Sequence, residues 1–333
     1  MKLIHVDYHL ASGELRHISS RFSDREAIAA RELGRILDIL EDANGSGRKT
    51  GSAASHQMSA GHHTGRPDSS LLVMRHVPSL EICCLGTIRV RLDSVPIREW
   101  RSQKARSLLG LLLERPGRTA PKDVLMEALW PGCEPSLANN NLKSTARTLR
   151  QILGPVEDTN KDFSWLLFHD GHYIINPEGA LWTDVDQFEY HWHVGRKLEK
   201  EGQLPEAMRE YETAEALYRG DYLEDNLYEE WTSLRREALK DVYLSILLRL
   251  ADRAIQQAEY ETCIDYCQKI LLRDRCREDA YQRLMSCHSR LGQRSRAIGW
   301  YHICEKTMKE ELDVCPEPQT VQLHQDLLKG KRI

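Results

Sequence analysis

Residues 137–153 read LANNNLKSTARTLRQIL. Leu142, Ala146, Leu149, Ile152 and Leu153 fall at i, i+4, i+7, i+10 and i+11, which predicts one apolar stripe along a helix. The opposite face carries Asn140, Lys143, Ser144, Arg147 and Arg150, with Asn139 and Asn141 in the first turn. No acid occurs between Pro135 and Val156, so nothing on this helix repels a polyanion. Asn pairs in bidentate fashion with an adenine edge, whereas Arg and Lys suit guanine or phosphate. A solvated basic helix would look the same, and only the surrounding fold separates the two readings.

Upstream, Ser102 is placed to cap a helix whose wide apolar face is Ala105, Leu108, Leu109, Leu111, Leu112 and Leu113. Pro121 opens a second helix with Val124, Leu125, Ala128 and Leu129 as core positions, ended by Trp130 and Pro131-Gly132. A loop, Gly132–Ser136, leads into the third helix, which Gly154-Pro155 stops. Further out, residues 80–97 (LEICCLGTIRVRLDSVPI) alternate like two or three short antiparallel strands. Residues 163–176 (FSWLLFHDGHYIIN) read as a hairpin turning at Asp170-Gly171. Strands, three helices and a hairpin are the layout of a winged helix-turn-helix with an extra N-terminal sheet. In that layout the third helix faces base edges with its N-terminal part, where the three asparagines sit, and Arg147 and Arg150 suit phosphates. Arg101, Lys104, Arg118 and Lys122 near the other helix starts are placed to clamp phosphates, and His169 and His172 at the hairpin tip to enter the minor groove.

From Asp184 onward the pattern is helical throughout. Gly202, Ala207 and Tyr211 are spaced like Gly292, Ala297 and Tyr301, and like Ala258, Cys263 and Cys267, with Ala258 34 residues before Gly292. That step is the tetratricopeptide period of stacked helical hairpins. Trp182, Trp192, Trp231 and Trp300 are expected in the core. Toward the N-terminus, residues 21–42 carry Ile28, Leu33, Ile36, Leu37 and Leu40 at helical spacing, and the Gly, Ser and His-rich residues 43–70 read as a flexible linker.

Charge sharpens the division. Residues 98–150 hold ten basic and five acidic groups, whereas residues 183–333 hold 23 basic and 29 acidic ones. No run of about 18 apolar residues and no secretory leader is present, so a membrane or exported protein is not expected. The nine cysteines form no C-x-x-C pair, and Cys263, Cys267 and Cys287 are expected as buried thiols rather than a metal site. No P-loop, dinucleotide fingerprint, H-E-x-x-H or G-x-S-x-G motif occurs, which argues against an enzyme; no cofactor and no metal is expected.

Six runs carry a family resemblance: QKARSLLGLLLERPGRTAPKDVLMEALWPG, NNNLKSTARTLRQILGP, DGHYIIN, TDVDQFE, GDYLEDNLYEEW and the long run from Glu278 to Leu323. Residues 80–178 resemble the OmpR-type winged helix. Residues 80–330 resemble the streptomycete antibiotic regulatory protein (SARP) family, the second half being similar to the bacterial transcriptional activator domain. The resemblance implies a transcription activator on direct-repeat promoter DNA. Its third helix would lie in the major groove, its wing against the minor groove, and the loop Gly132, Cys133, Glu134, Pro135, Ser136 toward RNA polymerase holoenzyme. Two departures stand out: Tyr173-Ile174-Ile175 lacks the usual wing arginine, and the loop carries Cys133 and Glu134.

The expected architecture is therefore mainly α with a small antiparallel β component. Residues 1–75 are an accessory helix and linker, 76–182 a winged-helix DNA-binding domain, and 183–333 an all-α tetratricopeptide-like domain. Expected partners are double-stranded promoter DNA, polymerase, a second copy on DNA, and a small-molecule or peptide effector at the helical repeats, with a cytoplasmic, nucleoid-associated location. The rival reading is a tetratricopeptide scaffold without specific DNA binding.

Overall fold

The computed structural model describes residues 77–100, 102–154, 163–226 and 230–331. The helix predicted over 21–42, the linker over 43–70 and Arg101 lie outside the described residues. No described helix is long and apolar enough to cross a membrane.

The N-terminal sheet starts with β1 (Ser79–Cys83), β2 (Arg89–Leu92) and β3 (Val95–Ile97), antiparallel neighbours. Leu80, Ile82, Val90 and Leu92 point into the core by simple alternation. The β2–β3 turn places both Asp93 and Ser94 at positive φ, 46° and 67°, matching the right-handed twist of a tight hairpin. Helices α1 (Gln103–Glu114), α2 (Lys122–Leu129) and α3 (Pro135–Ile152) follow, and Ser102 Oγ caps α1 by accepting from the Ala105 amide at 3.2 Å. The wing is a three-stranded sheet in the order β4-β6-β5, built from β4 (Thr119–Pro121), β5 (Leu166–His169) and β6 (His172–Ile175). Its tip is the Asp170-Gly171 turn, with φ of 46° and 76°.

One strand departs from the expected antiparallel pattern. β7 (Ala180–Thr183) lies parallel to β1 and completes a four-stranded sheet in the order β3-β2-β1-β7. Its four residues are too few to show alternation. Val124 also departs from expectation, since α2 turns Leu125 and Leu129 inward and leaves Val124 38% exposed.

Beyond β7 the chain is helical: α4 (Asp184–Lys200), α5 (Leu204–Leu217), α6 (Glu230–Gln256), α7 (Tyr260–Arg273), α8 (Glu278–Arg290), α9 (Arg294–Leu312) and α10 (Pro318–Leu328). The repeat is visible in its turns. Gly202, Ala258 and Gly292 all adopt left-handed φ, at 79°, 60° and 74°. Each turn closes with the same backbone bond, from Gln203 to Leu198, from Glu259 to Ala254 and from Gln293 to His288, all at 2.8–2.9 Å. Ala207, Cys263 and Ala297 are fully buried five residues after each turn, where the paired helices approach. Cys263 lies 3.9 Å from Cys267, sulfur to sulfur, inside this packing. The hydrogen bond with Cys267 and burial, opposed by the bond with Cys287, push the Cys263 thiol up to about 12, which keeps it protonated.

Candidate nucleic-acid interface

Helix α3 carries two opposed stripes. Ala138, Leu142, Thr145, Ala146 and Leu149 are buried against α1 and α2. Asn140, Lys143, Ser144 and Arg147, at i, i+3, i+4 and i+7, are exposed on the other side, flanked by half-buried Asn139 and Asn141. Gln151, four residues after Arg147, extends the exposed stripe; the i+4 spacing was its only sequence signal.

The helix begins earlier than its apolar pattern suggests. Glu134 is its N-cap, accepting from the Leu137 amide at 3.1 Å, and Pro135 occupies the first helical position, where a missing N–H costs nothing. The Ser136 hydroxyl donates to the Glu134 carboxylate, and that bond holds the Glu134 carboxyl below the usual range. The three asparagines consequently sit in the second turn, not the first. The connection between α2 and α3 is correspondingly short. Gly132 turns it with φ 69°, the half-buried Cys133 donates its amide to the Trp130 carbonyl at 3.1 Å, and Pro135 and Ser136 belong to α3 itself. Beside it, Leu137 is 53% exposed.

The wing gathers residues that are far apart in sequence. β4 pairs with β6 so that Pro121 lies opposite His172, and the Lys122 amide donates to the Gly171 carbonyl at 2.9 Å. Exposed Lys122 therefore stands beside the tip that His169 and His172 flank. His172 Nδ1 contacts the Asp170 carbonyl at 2.9 Å, and His169 Nε2 lies 3.0 Å from the Asp170 carboxylate.

Residues 183–328 match the family model of the bacterial transcriptional activator domain. The transcriptional regulatory protein MoaR1 of Mycobacterium tuberculosis is 24% identical over 226 residues, covering 68% of this chain and 72% of MoaR1. The regulatory protein AfsR of Streptomyces coelicolor is 27% identical over 245 residues, covering 71% of this chain and 24% of AfsR. Residues 183–328 thus carry the activator-domain signature, and the chain is similar to SARP-type transcriptional regulators. Its fold is similar to that of M. tuberculosis EmbR, solved in complex with a low-affinity phosphopeptide, with a TM-score of 0.61, 21% identity, and coverage of 77% of this chain and 66% of that one. Nothing in these relatives favours the rival scaffold reading.

In this chain the winged helix is welded to the helical repeats. Asp184, at the start of α4 and 3% exposed, accepts the amide of Cys84 through Oδ1 at 2.7 Å and that of Leu85 through Oδ2 at 3.0 Å. Burial raises its carboxyl despite these donors. Leu85 forms an isolated bridge with Tyr222, and Asp225 accepts from the Ile88 amide and from Arg106 Nη1, each at 3.1 Å. Gly110 of α1 leaves room for Trp231 of α6: a Cβ there would stand 2.9 Å from the indole. Arg118, which the sequence suggested as a phosphate clamp, reaches Asp186 of α4 instead, so its charge is neutralised within the seam. Lys104 is half-buried in the first turn of α1.

Proposed function

We propose that the exposed face of α3 lies in the major groove of promoter DNA. Asn139, Asn140 and Asn141 meet base edges, while Lys143, Ser144 and Arg147 hold the flanking backbone. Lys122, His169 and His172 then fall beside the neighbouring minor groove. The turn Gly132–Ser136, with exposed Leu137 beside it, turns toward RNA polymerase. The labour divides between residues 76–182, which select the site, and 183–333, which modulate it through a second copy on direct repeats or through a small-molecule or peptide effector. Residues 1–75 are accessory, and the protein works in the cytoplasm, on the nucleoid. The observation that carries this reading is the pairing of stripes on α3: its apolar side is consumed by the bundle and its acid-free side is open.

Arg147→Ala tests the backbone half of the proposal. It should weaken binding to all duplexes alike and reduce the slope of log affinity against log salt by about one unit. Titration across a range of salt concentrations measures this. An unchanged slope, or a parent protein that does not shift duplex DNA at low salt, would return the scaffold reading.

A further inference from the structure

Arg150 and Arg147 look equivalent in the sequence, one turn apart on one face, but the structure separates them. Arg150, in the last turn of α3, donates Nε–H to the Leu166 carbonyl of β5 at 2.9 Å. β5 is the outer strand of the wing, so this carbonyl lies on a sheet edge, where strand groups lack a neighbouring strand. Ser164 Oγ donates to the same oxygen at 3.1 Å. Leu166 is buried and pairs with Ile175, so its position is fixed to the whole wing register. The Arg150 charge also acts on the Tyr173 hydroxyl, drawing it down against the burial that raises it. Tyr173 packs on Phe168 with ring centroids 4.7 Å apart, one pair below the tip of the wing.

We infer that Arg150 is a positioning residue that sets the angle of the wing against α3, rather than a phosphate contact. This rests on α3 being the recognition helix, because the consequence for DNA is where the wing falls once α3 is seated. The bond uses Nε, the guanidinium nitrogen next to the stem, and a lysine cannot reproduce that geometry although it keeps the charge. The charge-conserving substitution is thus the decisive one.

The experiment compares Arg150→Lys and Arg150→Ala in the full chain. Without DNA, amide exchange across residues 166–175 should rise about tenfold in both variants. With DNA, both should lose the hydroxyl-radical protection that the wing gives beside the α3 footprint. The salt slope should stay at the parent value. If Arg150→Lys keeps parental exchange and protection while Arg150→Ala lowers the slope by about one unit, Arg150 is a phosphate contact and the inference fails. A parent that leaves no footprint would overturn the nucleic-acid reading, whereas the exchange result would still decide whether Arg150 holds the wing.

Discussion

Asp184→Ala should cost about 3 kcal/mol of folding stability, because it strands two buried backbone donors at once. The amides of Cys84 and Leu85 lie at the end of β1, and both aim at this one carboxylate. Water cannot replace it, since the residue is 3% exposed. Asp184→Asn should lose roughly half as much, because the amide keeps one acceptor oxygen and turns a donor toward the second N–H. Urea unfolding of the parent and the two variants measures the series. A loss below about 1 kcal/mol for the alanine variant would show that the seam is held by the other contacts, Asp225 and Trp231 foremost.

Glu114 supplies the second large effect, and it depends on pH. Its side chain enters the same seam among Cys84, Arg118, Thr183, Tyr222 and Arg235, and its Oε1 is buried without a hydrogen-bond partner among the described residues. Burial pushes the carboxyl up to about 7, against the opposing pull of Arg235 and Arg115. Arg235 is already held by Glu189, two nitrogens on two oxygens at 2.8 Å each. The folded carboxyl thus titrates above its unfolded value near 4.5, and the folded state binds more protons between the two. Its contribution is fully present below about 4.5 and is lost as pH rises through about 7. Glu114→Gln should match the parent at pH 5 and exceed it at pH 8 by up to about 3 kcal/mol. Unfolding midpoints taken every half unit between those limits would show it. Parallel curves for parent and variant would mean that Glu114 is solvated in the folded state.

Helix α3 was legible because its apolar period is a local property: Leu142, Ala146 and Leu149 mark their face without reference to anything distant. Its start was less so. The apolar pattern begins at Leu137, whereas the helix begins where Glu134 caps and Pro135 fits, two residues that carry no hydrophobic signal. The repeat turns were legible through Gly202 and Gly292, and Ala258 was recognisable by spacing alone although its φ of 60° is unfavourable for a residue with a Cβ. The seam was not legible. Asp184 looks like an ordinary first-turn acid of a helix, and its partners lie about 100 residues upstream. Arg118 looked free for phosphate for the same reason, since Asp186 is 68 residues away. Arg150 could be told from Arg147 only once β5 was in place. Long-range partners of charged side chains leave no periodic trace, and at this surface they decide which arginines are engaged within the fold.

The claim that α3 reads bases is tested most directly by the base preference of Asn140→Ala. A preferred site would first be selected from random duplexes with the parent protein. Affinities of both proteins would then be measured, at one salt concentration, for every single-base change in that site. The account predicts that the variant loses about 1–3 kcal/mol of discrimination at one base pair and keeps the parent profile at all others. An unaltered profile at every position, or a parent with no preference among duplexes, would contradict it.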